Sequence, residues 1–169
     1  MIQPILADVE LAGERIALRP VRESDIERAF EALHGKREIL DWLVWGGPER
    51  REDLLAFYAR WRQGGEREQR VGEHGRDYHL AVVDRADGRF AGCISLRFAG
   101  HPHTGDLGYW IAVGDWGRGF ASEAIRLVSW LGFGALRANL LYANVFLGNH
   151  ASRRALEKGA QPPAFQEPS

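Results

Sequence analysis

Residues 106–136 read DLGYWIAVGDWGRGFASEAIRLVSWLGFGAL, and this stretch decides the fold. Asp106 to Val113 has the composition of a strand, Trp116 to Ala121 is a glycine loop, and Ala124, Ile125, Val128 and Leu131 then recur at helical spacing. Gly117 and Gly119 let the loop adopt backbone conformations closed to other residues and keep side chains out of the way. The amides of Arg118 through Glu123 can then point outward together at the positive end of a helix. That is an anion cradle suited to a pyrophosphate, with Arg118 as a cation beside it. The same glycines could simply serve a tight turn, and the residues alone leave both readings open. Rival motifs fit worse. No Gly-Lys-Ser/Thr ending marks a P-loop, and a dinucleotide fold would place its glycine turn after the first strand, whereas this loop lies two-thirds along the chain. The patterns Gly-x-Ser-x-Gly and His-Glu-x-x-His are absent.

Upstream, Tyr78–Val83 and Phe90–Phe98 flank Arg85-Ala86-Asp87-Gly88, a hairpin signal that feeds the 106–113 strand. Further back, 15–21 alternates as a strand ended by Pro20. Ser24 and Glu27 have the form of a capping box for a helix carrying Ile26, Phe30 and Leu33. Pro48 suits the start of a second helix through Leu54, Leu55, Phe57, Tyr58 and Trp61, and residues 63–75 read as a polar connector. Downstream, Leu141, Ala143 and Val145 alternate as a strand, and Asn149 opens a last helix through Leu156. The order is strand, two helices, three-strand meander, helix, strand, helix: an α+β chain with a mostly antiparallel sheet.

With 169 residues, the chain has room for one core and reads as a single domain over 1–169. It is 45% hydrophobic and 27% charged, the balance of a globular chain rather than a disordered one. A net charge of -1 supplies no general field for nucleic acid or an anionic membrane. Cys93 is the sole cysteine and lies in an apolar run, so an internal disulfide is excluded, a thiolate zinc site lacks ligands, and a buried inert thiol is expected. His101 and His103 fit an exposed turn better than a metal site. Without a leader pattern or a membrane-length apolar run, a cytoplasmic location is expected.

Taken jointly, several pieces carry a resemblance. WGRGFA at 116–121 resembles the Q/R-x-x-G-x-G/A signature of the GNAT superfamily of acyl-CoA-dependent N-acyltransferases, with Trp116 in place of the polar residue. RIALRP at 15–20, LGYWI at 107–111, Asn139, NHAS at 149–152 and LEK at 156–158 are similar to the RimJ/RimL-like branch, which includes acetyltransferases of ribosomal-protein N-termini. Order and spacing agree over roughly residues 15 to 158.

The resemblance implies a GNAT fold and transfer of an acetyl group from acetyl-CoA to a primary amine by direct attack in a ternary complex. By that likeness, Ile111, Ala112 and Val113 offer amides to the pantetheine arm, while Arg118, Gly119, Phe120, Ala121, Ser122 and Glu123 hold the pyrophosphate. Asn149 would hydrogen-bond the coenzyme arm, and it also suits a helix cap. Ser152 would protonate the leaving sulfur, although serine in a first turn also satisfies free amides. Asp106 is the expected proton acceptor on its strand, where a solvated aspartate would look the same. Trp42 and Trp45 would wall an acceptor pocket or else fill the core, and Tyr109 and Trp110 would lie near the reacting carbonyl. No metal is implied, and the partners expected are acetyl-CoA and an amine, as monomer or homodimer. Two other readings stand beside this one: an acyl-CoA-binding module without turnover, and a purely structural interaction domain. Relatives continue after the last helix with Gly-Phe and two strands, whereas this chain has Gly159-Ala160-Gln161-Pro162-Pro163. The prolines oppose strand pairing, so those strands are expected to be missing and the fifth-strand edge to be open to a partner.

Overall fold

The computed structural model describes residues 10–43, 45–62, 77–98 and 101–160. The expected connector at 63–75 and the tail beyond 160 lie outside the described residues. In chain order the elements are β1 (Leu11–Ala12), β2 (Ile16–Pro20), α1 (Ile26–Leu33), α2 (Arg37–Leu40), α3 (Arg51–Arg62), β3 (Asp77–Asp84), β4 (Phe90–Arg97), β5 (Thr104–Ile111), α4 (Phe120–Gly134), β6 (Leu140–Tyr142) and α5 (His150–Ala160). The strands form one sheet in sequential order. Neighbours are antiparallel except β5 and β6, which run parallel with α4 as the crossover. This is the mixed α+β architecture that the sequence implied.

The middle of the sheet is covered on both faces, which is why β3 reads as a nearly continuous apolar run. Leu80 and Val82 pack with Ile94, Leu96, Leu107 and the buried stripe of α4, namely Ala124, Ile125, Val128 and Leu131. Ala81 and Val83 turn to the other face, where Ile26, Ala29, Leu33, Leu54 and Tyr58 of the first helices meet Cys93 and Trp110. Two half-cores result, one per face.

Local details depart from the sequence reading where an ionised group outcompetes a neutral one. The Ser24–Glu27 capping box does not form. A 3-10 turn over Glu23–Asp25 precedes α1, and the buried Asp25 carboxylate accepts from the Arg22 amide at 2.8 Å and the Arg19 guanidinium at 2.7 and 2.9 Å. Glu27 instead pairs with Arg51 of α3. Helix α3 starts three residues after Pro48, where the Asp53 carboxylate accepts the Glu49 and Arg50 amides. Neither β1 nor α2 was expected.

The departure that matters is at β5 and β6. Strand β5 runs 104–111 rather than 106–113, because Val113–Asp115 winds into a 3-10 turn. The parallel ladder pairs Thr104 with Leu140, Gly105 with Leu141 and Asp106 with Tyr142, then stops. Residues 143–145, expected to extend the strand, pull away from β5. On β6, the strand counted fifth from the sequence, Leu140 and Tyr142 are exposed.

Candidate functional site

Where β5 and β6 part, a cleft of about 740 Å3 opens. Its walls are Leu107–Ile111 on one side and Ala143–Phe146 with Asn149 and Ser152 on the other, and the glycine loop with the first turn of α4 also lines it. Successive N–H groups of a strand point to opposite edges. The Ala112 amide donates to Ala91 O on β4 at 2.8 Å, so the Ile111 amide faces the other edge, which β6 has left. On that same edge Ile111 O accepts the Trp116 indole N–H at 2.8 Å. Of the three amides expected here, Ile111 alone is presented to the cleft: Ala112 is spent within the sheet, and Val113 has turned into the 3-10 segment and does not line the opening.

Gly117 and Gly119 both take φ of 77°, and Gly119 is the left-handed N-cap of α4. A side chain at Gly119 would also strike the Arg15 guanidinium, 2.5 Å from the ideal Cβ position. The first amides of α4 have no intrahelical partner; Phe120, Ala121 and Ser122 line the cleft. The Glu123 amide does not join them, because it closes the first helical bond to Gly119 O at 3.2 Å, and its carboxylate accepts the Arg15 amide. Ser122 Oγ likewise donates to Gly119 O at 3.1 Å.

Arg118 does not stand beside this cradle. Its guanidinium is held at 2.8 Å from Asp84 and 2.9 Å from Asp115, and it lies over the Phe120 ring at 4.4 Å. Both carboxylates are buried, and a buried charge requires a counter-charge; Arg118 lines a separate small hollow with Glu14, Arg15 and Asp84. Besides Arg97, which pairs with Asp106, the cations in the cleft wall are Arg154 and Lys158, to which the sequence reading gave no site role. They sit four residues apart on α5, a spacing that places them on one face and that was readable in advance. Among the described residues neither has an ion-pair partner. Helix α5 reaches the start of α4 because residue 159 is glycine: a Cβ there would lie 2.5 Å from Ile125 and 2.9 Å from Ser122 O.

Between these groups lies a pair of hydroxyls. Ser152 Oγ and Tyr109 Oη are 2.7 Å apart. Burial raises the Tyr109 phenol above its ordinary pKa, opposed by the hydrogen bond to Ser152, so the ring carries its proton at neutral pH. Asn149 Oδ1 accepts the Ser152 amide at 3.2 Å, which makes Asn149 the cap and leaves the serine hydroxyl for other work. Asp106 lines the cleft with Oδ2 held by Arg97 at 2.6 Å across the β4–β5 pair.

The tryptophans separate. Trp42 lines the cleft, 41% exposed, whereas Trp45 is not part of its lining and stacks on Phe57, with ring centroids 6.4 Å apart. Trp110 lines the cleft but is largely buried: it is 8% exposed and packed against Phe90. Cys93 lies off the cleft with Sγ 3.2 Å from Tyr58 Oη, and burial pushes its thiol up to about 12, which leaves no thiolate for nucleophilic chemistry.

A family model described as an acetyltransferase (GNAT) domain matches residues 15–159. The chain is 29% identical over 150 residues to "Probable N-acetyltransferase YjcK" of Bacillus subtilis (strain 168), covering 88% of this chain and 81% of that protein. Among solved structures, a GNAT-family acetyltransferase from Bacillus anthracis superposes with a TM-score of 0.75 at 19% identity, covering 90% of this chain and 82% of the other. Mycobacterium smegmatis RimJ in complex with CoA-disulfide superposes with a TM-score of 0.70 at 23% identity, covering 84% and 68%.

Proposed function

This chain belongs to the GNAT acetyltransferase family and is an acetyl-CoA-dependent acyltransferase, and on that premise we propose that it acetylates a primary amine by direct attack in a ternary complex. The single observation that carries the reading is the cleft at the β5–β6 divergence, which joins a helix N-terminus, an outward strand amide and a hydroxyl pair in one opening. Its donor set suits acetyl-CoA: amides of Phe120, Ala121 and Ser122 with Arg154 and Lys158 for the phosphates, and the Ile111 amide for the pantetheine end. When bound, acetyl-CoA supplies the activated acyl group.

The remaining chemistry falls to the side chains. An alkyl ammonium has a pKa of roughly 10, so attack requires a proton acceptor. Asp106 fills that role through Oδ1, the oxygen that Arg97 leaves open. The Ile111 amide donates to the carbonyl oxygen as negative charge builds on it, a contribution of about 3 kcal/mol in comparable sites. Ser152 passes its proton to the departing sulfur and recovers one from solvent by way of the Tyr109 hydroxyl, which ends the step protonated. With Cys93 buried and protonated and no cysteine in the cleft, a cysteine-linked acyl-enzyme has no residue to form on, which supports direct transfer. A RimJ/RimL-like protein N-terminus and a small amine both remain within the class.

Titration calorimetry with acetyl-CoA followed by thiol release on an amine panel tests the proposal. Saturable binding with amine-dependent thiol release is expected. Binding without turnover on N-terminal peptides, polyamines, aminoglycosides and amino acids would favour the non-catalytic acyl-CoA-binding module instead.

A further inference from the structure

The charges lining the cleft do not cancel evenly. Three carboxylates line it, Glu38, Asp106 and Asp115. Asp106 is paired with Arg97, and Asp115 with Arg89 and Arg118. Glu38 has no ion pair or hydrogen bond among the described residues, and it is exposed. The unpaired cations Arg154 and Lys158 lie on α5, with Lys158 next to the glycine that packs against Ser122 at the start of α4. The opposite end is set by Trp42, whose ring tip (Cη2) comes within 4.0 Å of where a Gly148 side chain would begin, just before α5. Eight residues of helical rise, about 12 Å, separate His150 at the start of α5 from Lys158. The hydroxyls of Ser152 and Tyr109 stand between.

Glu38 and Trp42 are four residues apart across the end of α2, where Asp41 and Trp42 still donate to Arg37 O and Ile39 O. That spacing sets the two side chains on the same side. A carboxylate without a counter-ion beside an exposed indole face is a pairing suited to a cation: one offers opposite charge, the other its ring quadrupole. We propose that Glu38 and Trp42 form the acceptor subsite of the cleft and select amines that carry a second positive charge beyond the one acetylated. The inference rests on the acetyl-transfer reading and adds the substrate class to it. The anionic coenzyme and the cationic acceptor then enter at ends of opposite sign, which keeps each out of the other's place.

The test compares 1,3-diaminopropane with propylamine, which share a chain length and differ by one ammonium group. Wild-type protein favours the diamine by about ten-fold in kcat/KM at low salt, and 0.5 M NaCl reduces the preference. In Glu38→Gln the diamine preference disappears while the Kd for acetyl-CoA holds, and Trp42→Phe keeps more of it than Trp42→Leu. An equal rate for both amines in wild type, or an unchanged ratio in Glu38→Gln, overturns the subsite. Calorimetry of both amines on the CoA-loaded protein reads the subsite independently of turnover. Diamine binding that Glu38→Gln abolishes, with no thiol release, would sink the acetyl-transfer reading and keep the subsite; no diamine preference in binding sinks the subsite.

Discussion

Among the described residues Ser152 and Tyr109 form the one hydroxyl pair in the cleft wall joined by a hydrogen bond, at 2.7 Å, and each substitution there has a separable effect. Because Asn149 supplies the cap, Ser152→Ala leaves α5 in place and removes the proton donor; kcat should fall about 100-fold with the acetyl-CoA Kd within about threefold. Tyr109→Phe, which retains the serine, should cost about ten-fold. If the two act as one relay, the double variant is no slower than Ser152→Ala, and fully additive losses would contradict it. His79 has a different consequence. Its ring lies against Phe57 and Tyr58, and desolvation lowers its pKa from 6.5 to about 4. Between those values the unfolded chain binds a proton that the native state refuses, so stability is complete above pH 6.5 and falls as pH drops toward 4. The loss should be about 2 kcal/mol on a partly buried ring. Urea midpoints measured from pH 7 to pH 4 should decline, and His79→Gln should flatten that decline.

At the scale of an element, the start of α4 carries the largest share of the coenzyme argument. Gly119 holds a left-handed φ against the Arg15 side chain. Gly119→Ala costs about 1–2 kcal/mol of backbone strain and displaces the loop. Acetyl-CoA affinity should drop about ten-fold by calorimetry. Arg118→Ala is the contrast: it strips Asp84 and Asp115 of a counter-charge, so the melting temperature should fall while the acetyl-CoA Kd holds. The reverse pattern would return Arg118 to the phosphate role that its sequence position suggests. These two residues are adjacent in the chain and answer to different partners, which is why spacing alone assigned them the same role.

On the scale of the whole molecule, the sheet is the partition between two half-cores, and the cleft exists because the sheet comes apart at one end only. Leu96 is fully buried in β4 against α4. Leu96→Ala should destabilise by about 2–5 kcal/mol and lower Tm by roughly 5–15 °C in differential scanning calorimetry. The cleft should survive this loss, so acetyl-CoA should still bind below the new melting point. Among the described residues no helix is long and apolar enough to cross a membrane.

Periodicity and glycine placement determined most of the frame: the meander from Tyr78 onward, the stripe of α4 and the order of the elements follow from local alternation, because burying apolar side chains leaves few arrangements for such a pattern. The WGRGFA loop was legible for a related reason, since a glycine-rich turn leading into an apolar helix leaves a mark in the chain itself. Pairing was not legible. Whether Arg118 meets a phosphate or the buried Asp84, whether Ala112 offers its amide or spends it on Ala91, and where β6 leaves β5 are set by residues tens of positions away. The same holds for Trp42 and Trp45, three residues apart, one at the cleft and one on Phe57. Electrostatic and hydrogen-bonding partners are chosen by proximity in space, and only the closed fold brings those candidates within a few ångströms of each other.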